Sequence, residues 1–550
     1  MVVQWLALLP HTFGTRVGVS AWVTCLCVSP VSSWNDGPVV SIKNGTLRGR
    51  YVTADGTEKV VQQYLGIPFA RPPVGPLRLA APQPPLAWEV CLLSRCIQNP
   101  AILAEISRML NMNVSESPVS EDCLYLNVYT PSDRSAEERL PVMVWIHGGG
   151  LAFGGAAQVD GSALAAYQHV VVVVIQYRLG ILGFLSTGDE YARGNWGFLD
   201  QIAALQWVQA NIESFGGDSQ SVTIFGESAG GISVSLLVLS PLSSGLFHKA
   251  ICQSGVATVH ILFTNSPLIL AVANLTACDS DSTEHLVQCM RQKTEEDIIQ
   301  ATKKEIILGS TVDGYFLEKP IEDVFKSQKF PKVPILLGVT NHEFGWILTK
   351  AFASPDWEEG MDKQKVKSIL NRIFQGWAAG MDELIVAEYF RDADTPEKVR
   401  DVFTEILGDL FMVFPTITVA NYHRNAGGAV YLYEFQHPPA VFKNIRPSFV
   451  KADHGDDIYF VFGAPFWNGE TTEEKELSKK MMAYWANFAR SGSPNGPGLV
   501  EWPVYGESEE YLNLGLEQTT GRKLKQEQMH FFTVKLPQKL AASPAANMKP

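Results

Sequence analysis

Apolar and polar positions change period several times along the chain, and those changes predict its elements. Val39-Val40-Ser41-Ile42 and Thr46-Leu47-Arg48-Gly49 alternate in twos, the period of half-buried strands, and are expected to form a hairpin. Tyr64 to Pro73 is rich in proline, which withholds a backbone donor, so this stretch is read as neither helix nor central strand. Residues 74–122 read as loop, with one short helix at Ala101 to Leu110. From Leu124 the pattern turns to long apolar runs. Leu124 to Tyr129, Pro141 to Ile146 and Val170 to Tyr177 are predicted strands, the last two so continuously apolar that both faces must be covered, as in parallel sheets. Gln201 to Phe215 repeats at helical spacing, with Leu205, Val208, Ile212 and Phe215 on one stripe and Gly216-Gly217 as a stop. Ser221 to Phe225 is a strand, Gly231 to Leu239 a buried helix ended by Ser240-Pro241. Lys249 to Gln253, Val333 to Val339 and Val430 to Phe435 add strands, and Met481 to Arg490 a helix. Strands alternating with helices predict one α/β domain on a large, mostly parallel sheet. Its expected span is residues 34–538, with an unstructured tail at 539–550.

Composition narrows the class without changing that picture. The 550 residues are 46% hydrophobic and 18% charged, the balance of a globular chain with a large core. A net charge of −13 leaves no excess of cations for phosphates and argues against nucleic acid as a partner. Arg16, the apolar run Val17 to Val28 and the small residues near Ser33 read as a signal peptide over residues 1–33, hence export. Three glycosylation sequons begin at Asn44, Asn113 and Asn274. Cys91, Cys96, Cys123, Cys252, Cys278 and Cys289 follow the signal, with no C-x-x-C or Cys/His spacing of a metal site.

The candidate chemistry centres on Gly226-Glu227-Ser228-Ala229-Gly230, set between a predicted strand and a predicted helix. That context turns a glycine-rich turn with an incidental serine into a nucleophile elbow, where glycines are needed because a Cβ would collide. A serine hydroxyl also needs a base, an orienting acid and donors for the developing oxyanion. His147-Gly148-Gly149-Gly150 ends a strand upstream and fits the donor loop; the N–H after the nucleophile, on Ala229, would add another donor. Acid and base should follow in the order Ser, Asp or Glu, His. Glu343 lies just past a strand end and competes with Asp313, although Asp313-Gly314 reads more as a turn. Among the later histidines His423 reads as a structural helix end, His437 sits beside prolines, and His454 lies in a small polar loop suited to a mobile imidazole. Chemistry alone leaves these open.

Several stretches together resemble the type-B carboxylesterases of the α/β-hydrolase superfamily: Ser120 to Asn127, His147 to Gly150, Gly194-Asn195-Trp196-Gly197 with Asp200-Gln201, Phe225 to Gly231, and Lys451 to Asp456. A closer likeness to the vertebrate intestinal-type carboxylesterase 2 branch rests on Glu434 to His437, Lys443 to Pro447 and Tyr484 to Arg490. The resemblance implies an α/β-hydrolase fold and hydrolysis of carboxylic esters, with amides and thioesters as further substrates. It implies Ser228 as nucleophile, Glu343 as acid, His454 as base, Gly149, Gly150 and Ala229 as oxyanion donors, and disulfides Cys96–Cys123 and Cys278–Cys289. No metal or organic cofactor is implied, and the expected partners are small-molecule esters. The stretches around Cys91 and after Phe462 run shorter than in the family, and the end Asn547-Met548-Lys549-Pro550 lacks the His-x-Glu-Leu address of many relatives. Secretion is therefore expected over retention in the endoplasmic reticulum. A non-catalytic scaffold of the same fold is the rival class, against which an intact Ser228, Glu343 and His454 argue.

Overall fold

Runs of valine, isoleucine and leucine that cannot face water on either side lie stacked at the centre of one sheet. A computed structural model of the chain describes residues 37–87, 95–96, 119–259, 268–302, 308–373, 380–468 and 470–542. Numbered in chain order, the main sheet comprises β1 (Arg50–Thr53), β2 (Val60–Pro68), β3 (Tyr125–Pro131), β4 (Leu140–Ile146), β5 (Val171–Ile175) and β6 (Gly217–Glu227). It continues with β7 (Lys249–Gln253), β8 (Ile335–Thr340), β9 (Val430–Phe435), β10 (Glu510–Leu514) and β11 (Gln518–Arg522). Across the sheet the order is β11-β10-β9-β8-β7-β6-β4-β5-β3-β2-β1. Strands β4 to β10 pair in parallel, while β1, β2, β3 and β11 join antiparallel at the two ends. Every residue of β5 is buried, as its unbroken apolar sequence requires. The hairpin of Val39–Ile42 with Gly45–Arg48 stands beside this sheet as its own pair. The architecture is an α/β-hydrolase sheet flanked by helices and built on one hydrophobic core.

The flanking helices include α1 (Trp196–Asn211), α2 (Ala229–Leu239), α3 (Pro396–Asn425), α4 (Asp456–Val461) and α5 (Thr472–Ser491). Every residue of α2 is buried, so its apolar sequence all round reflects a position inside the fold rather than at its surface. Helix α3 contains a wider π turn at Asp409–Val413.

Three expectations change. The first half of the proline-bearing stretch, Tyr64 to Pro68, belongs to β2, which has a strand on each side, while residues 69–73 with Pro72 and Pro73 are neither helix nor strand, as expected. The register shifts between Tyr64 and Ile67, Gly66 takes φ 71°, and its N–H donates to the Asn127 side chain (2.9 Å). The irregularity is confined to one bulge within β2, and Pro68, as its last residue, takes no donor from the middle of the ladder. Helix α1 starts at Trp196, before the expected Gln201, and is buried around most of its circumference rather than along one stripe. Gly216 does stop the short 3-10 turn that follows, at φ 82°, but Gly217 already opens β6. A helix over Leu536–Ala542 covers the start of the expected tail. The helix expected at 101–110, the segment 1–33, Asn113, Cys91 and residues 543–550 lie outside the described residues.

Candidate active site

Parallel strands deliver their C-terminal ends to one edge of a sheet, and here three such ends meet. Gly226 of β6 pairs with Ile146 at the end of β4, Glu227 with Gln253 at the end of β7, and Gln253 with Gly338 of β8. Ser228 falls between β6 and α2 with φ 57° and ψ −126°, a left-handed residue at a sharp reversal. Its N–H donates to Gln253 O (2.8 Å) and its carbonyl accepts from Ile232 N (2.9 Å). The flanking glycines are required by close approach. A Cβ on Gly226 would come 2.6 Å from Ile146 O, and one on Gly230 only 2.0 Å from the same oxygen. A third such glycine, Gly255, would place a Cβ 2.0 Å from Ser228 O; nothing in its local sequence points to that role.

The loop after β4 closes over the elbow. A Cβ on Gly148 would lie 3.1 Å from Ser228 Cβ, so only glycine lets the backbone pass. Gly149 and Gly150 adopt φ 104° and 60°, and Gly149 O accepts from Ala152 N and Phe153 N (3.0 and 3.1 Å). His147 stacks on Tyr177 with ring centres 4.4 Å apart, and Tyr177 Oη donates to His147 O (2.7 Å), which anchors the root of the loop. Ala229, buried, is the first residue of α2.

Glu343 and His454, 111 residues apart, are joined by a 2.6 Å hydrogen bond from His454 Nδ1 to Glu343 Oε2. The other carboxylate oxygen accepts from Ser254 Oγ (2.6 Å) and Thr340 N (2.7 Å). Both residues are almost wholly buried. His454 Nε2 lies 3.0 Å from Glu227 Oε1, but without hydrogen-bond alignment, so this is a charge contact between imidazole and carboxylate. Burial alone would lower the imidazole pKa. The charge of Glu227, the bond to Glu343, and the charges of Glu343 and Asp453 together outweigh burial and raise it to about 9.

A second set of carboxylates supports the His454 loop. Asp453 accepts from Trp346 N (3.2 Å) and Ile347 N (3.1 Å), and its own N–H donates to Asp456, which Arg446 grips in a bidentate pair (2.6 and 2.7 Å). Asp457 accepts from Tyr433 Oη (2.5 Å) and Gln253 Nε2 (2.9 Å). Burial pushes its carboxyl up to about 7, with the Glu227 charge adding to the rise and the two donors opposing it. Gln253 is oriented in turn by Trp485 Nε1 of α5 (3.0 Å).

Ser228, Glu343, His454, Gly149, Gly150 and Ala229 thus converge at one edge of the sheet, and Asp313 takes the turn role, its Oδ1 capping the N–H groups of Tyr315, Phe316 and Leu317. Glu227 and Asp457 sit inside conspicuous motifs, yet sequence alone suggests no role for either; Ser254 carries no local signal at all. Away from this edge, Cys278 and Cys289 form a disulfide. Cys123 is disulfide-bonded as well, while the side chain of Cys96 lies outside the described residues. Asn274 is exposed on the helix Ile269–Thr276, and the Asn44 side chain donates to Pro85 O (3.1 Å). No cluster of three or more His, Cys, Asp or Glu able to hold a metal occurs among the described residues.

The profile of the Carboxylesterase family matches residues 36–532. Similar proteins include "Fatty acyl-CoA hydrolase precursor, medium chain" from Anas platyrhynchos, 48% identical over 90% of this chain and 92% of that protein. Carboxylesterase 5A from Canis lupus familiaris is 46% identical (93% and 91% covered), and cocaine esterase from Homo sapiens 46% (92% of each). With that match spanning nearly all of the described core, the chain belongs to the carboxylesterase family.

Proposed function

We propose that this carboxylesterase cleaves its esters through an acyl-enzyme on Ser228. Ser228 Oγ attacks the substrate carbonyl while His454 Nε2 takes its proton. Glu343 holds Nδ1–H, which fixes the tautomer and stabilises the imidazolium as it forms. The N–H groups of Gly149, Gly150 and Ala229 receive the oxyanion, each such donor being worth roughly 10²–10³ in rate. The alcohol leaves with the proton from His454, and the same imidazole then activates water to release the acid. The observation that carries this reading is the 2.6 Å bond between Glu343 and His454, whose Nε2 lies 3.0 Å from Glu227, the residue before a serine held at positive φ.

Thioesters and amides are proposed as further substrates, since the same acyl transfer serves any carbonyl whose leaving group His454 can protonate. A relative named as an acyl-CoA hydrolase supports the thioester arm. We also place the chain in the secretory pathway as a secreted glycoprotein, on the strength of the Cys278–Cys289 disulfide and the exposed Asn274. The test is turnover of a 4-nitrophenyl ester with mass mapping of fluorophosphonate adducts. Label on Ser228 and loss of turnover in Ser228→Ala are expected; wild-type turnover in that variant overturns the mechanism. A mobility shift on glycosidase treatment of the protein from culture medium checks the secretory reading.

A further inference from the structure

Glu343 and His454 sit on two loops that leave different elements: 341–347 follows β8, and 451–455 precedes α4. A 2.6 Å bond between them tolerates little drift, so the spacing of the loops has to be held by other contacts. Three side chains lace the loops together. Ala452 N donates to Asn341 Oδ1 (3.1 Å), Lys451 N donates to His342 Nδ1 (3.2 Å), and Asp453 accepts from Trp346 N and Ile347 N (3.2 and 3.1 Å). The backbones of His342 and Asp453 also form a short parallel bridge.

Of these, the His342 ring also reaches a third element. Its Nε2 lies 3.0 Å from Thr404 Oγ1 on α3. Because Nδ1 accepts from a backbone N–H, the ring proton sits on Nε2, and Nε2–H donates to Thr404. Thr404 Oγ1 spends its own proton on Asp401 O (2.8 Å), which leaves its lone pairs for the imidazole. Both ring nitrogens are therefore committed. The ring is seated against Gly345, where a Cβ would come within 2.8 Å of it. Helix α3 also touches the acid directly, since a Cβ on Gly408 would stand 3.5 Å from Glu343 Cβ. Thr404 and Gly408 are four residues apart and so share one face of that helix.

We propose that His342 is a positioning residue for the reaction assigned to Ser228, Glu343 and His454: its imidazole ties the base-bearing loop at Lys451 to helix α3 at Thr404 and so sets the separation of acid and base. The inference rests on that assignment, and the two fail separately. The full chain is compared with His342→Ala, His342→Gln and Thr404→Val by kcat and KM for a 4-nitrophenyl ester normalised to sites labelled by a fluorophosphonate, and with Ser228→Ala by turnover per mole of protein. His342→Ala is expected to lose roughly 10–100-fold in kcat per labelled site with KM within about twofold, the scale of a small misplacement of catalytic groups. His342→Gln, which can offer an acceptor to Lys451 N and a donor to Thr404, is expected to restore most of the loss. Thr404→Val approaches the same tie from the other side and should lower kcat without changing KM, which keeps the test alive if His342→Ala does not fold. Wild-type kcat in His342→Ala or Thr404→Val, a loss confined to the number of labelled sites, or His342→Gln falling as far as His342→Ala overturns the positioning role. Full turnover in Ser228→Ala overturns the underlying assignment instead.

Discussion

Glu227, the residue before Ser228, sets its carboxylate 3.0 Å from Nε2 of His454, the nitrogen that the proposed mechanism needs free of a proton. A buried anion at that point favours the imidazolium and is the leading cause raising the pKa of His454 to about 9, against the opposing effect of burial. With His454 as the proposed base, kcat/KM should climb with pH as its imidazole deprotonates. Glu227→Gln keeps the shape and removes the charge. Its acid limb is expected at lower pH by on the order of one unit or more, measured as kcat/KM against pH for a neutral ester. A limb that stays where wild type has it would show that His454 does not feel Glu227.

The Ser254 hydroxyl donates to Glu343 Oε1 from a backbone held at φ 48°. A bond to a buried carboxylate of this kind contributes roughly 1.5–3 kcal/mol, and losing it leaves Oε1 with Thr340 N alone. Ser254→Ala should therefore lower kcat by about 10-fold with little change in KM, because Glu343, the proposed acid, loses orientation while the substrate contacts remain. Steady-state kinetics decide it, and an unchanged kcat would assign Ser254 to packing only.

Much of the fold is legible in the sequence because its strands are short, apolar and separated by helices: β3 to β9 and α2 lie within a few residues of where the pattern puts them. The stretch from Tyr64 defeats the pattern because one bulge at Gly66 and a terminal Pro68 reconcile proline with an inner strand, and a count of prolines does not report where in the ladder they fall. Helix α1 begins earlier than its periodicity suggests for a related reason, since an element buried on nearly all sides has no polar face to mark its start. At the site, glycine spacing around Ser228 is readable because close approach forbids every other residue there. The ties around Glu343 and His454 are not, because the bonds Ser254–Glu343, His342–Lys451 and Gln253–Asp457 join residues 89, 109 and 204 positions apart, distances that no local pattern spans.

The glycine at position 230 is the more demanding of the two that flank the elbow. Its added Cβ would stand 2.0 Å from Ile146 O and 3.0 Å from the His147 backbone, and neither belongs to a side chain that can rotate away. Gly230→Ala must therefore push α2 from β4 at the point where the 147–150 loop begins. A loss of about 1–3 kcal/mol in stability is expected, with a fall in turnover larger than the unfolded fraction explains. Denaturant unfolding and kcat per labelled site measure the two effects, and an Ala variant with native stability would refute the contact.

His423 tests the core well away from the chemistry. It lies in the last turn of α3, 1% exposed, with its ring against Phe325 and Phe330. Neither ring nitrogen has a hydrogen-bond partner among the described residues, and burial alone lowers its pKa to about 4 from an ordinary 6.5. Above pH 6.5 the ring is neutral in both folded and unfolded chains and contributes no pH dependence. As pH falls from 6.5 towards 4 the unfolded chain takes up the proton and the folded one does not, so stability drains away, by about 3 kcal/mol across that window. His423→Leu fills the same space without a titrating or unsatisfied group. Its thermal midpoint should exceed that of wild type already at pH 7, because two buried polar atoms without partners are removed. The gap should widen steadily between pH 6.5 and 4, as read by thermal unfolding in a pH series. A constant gap would mean that His423 keeps its ordinary pKa in the folded chain, and a lower midpoint at pH 7 would mean that the ring packs better than leucine can.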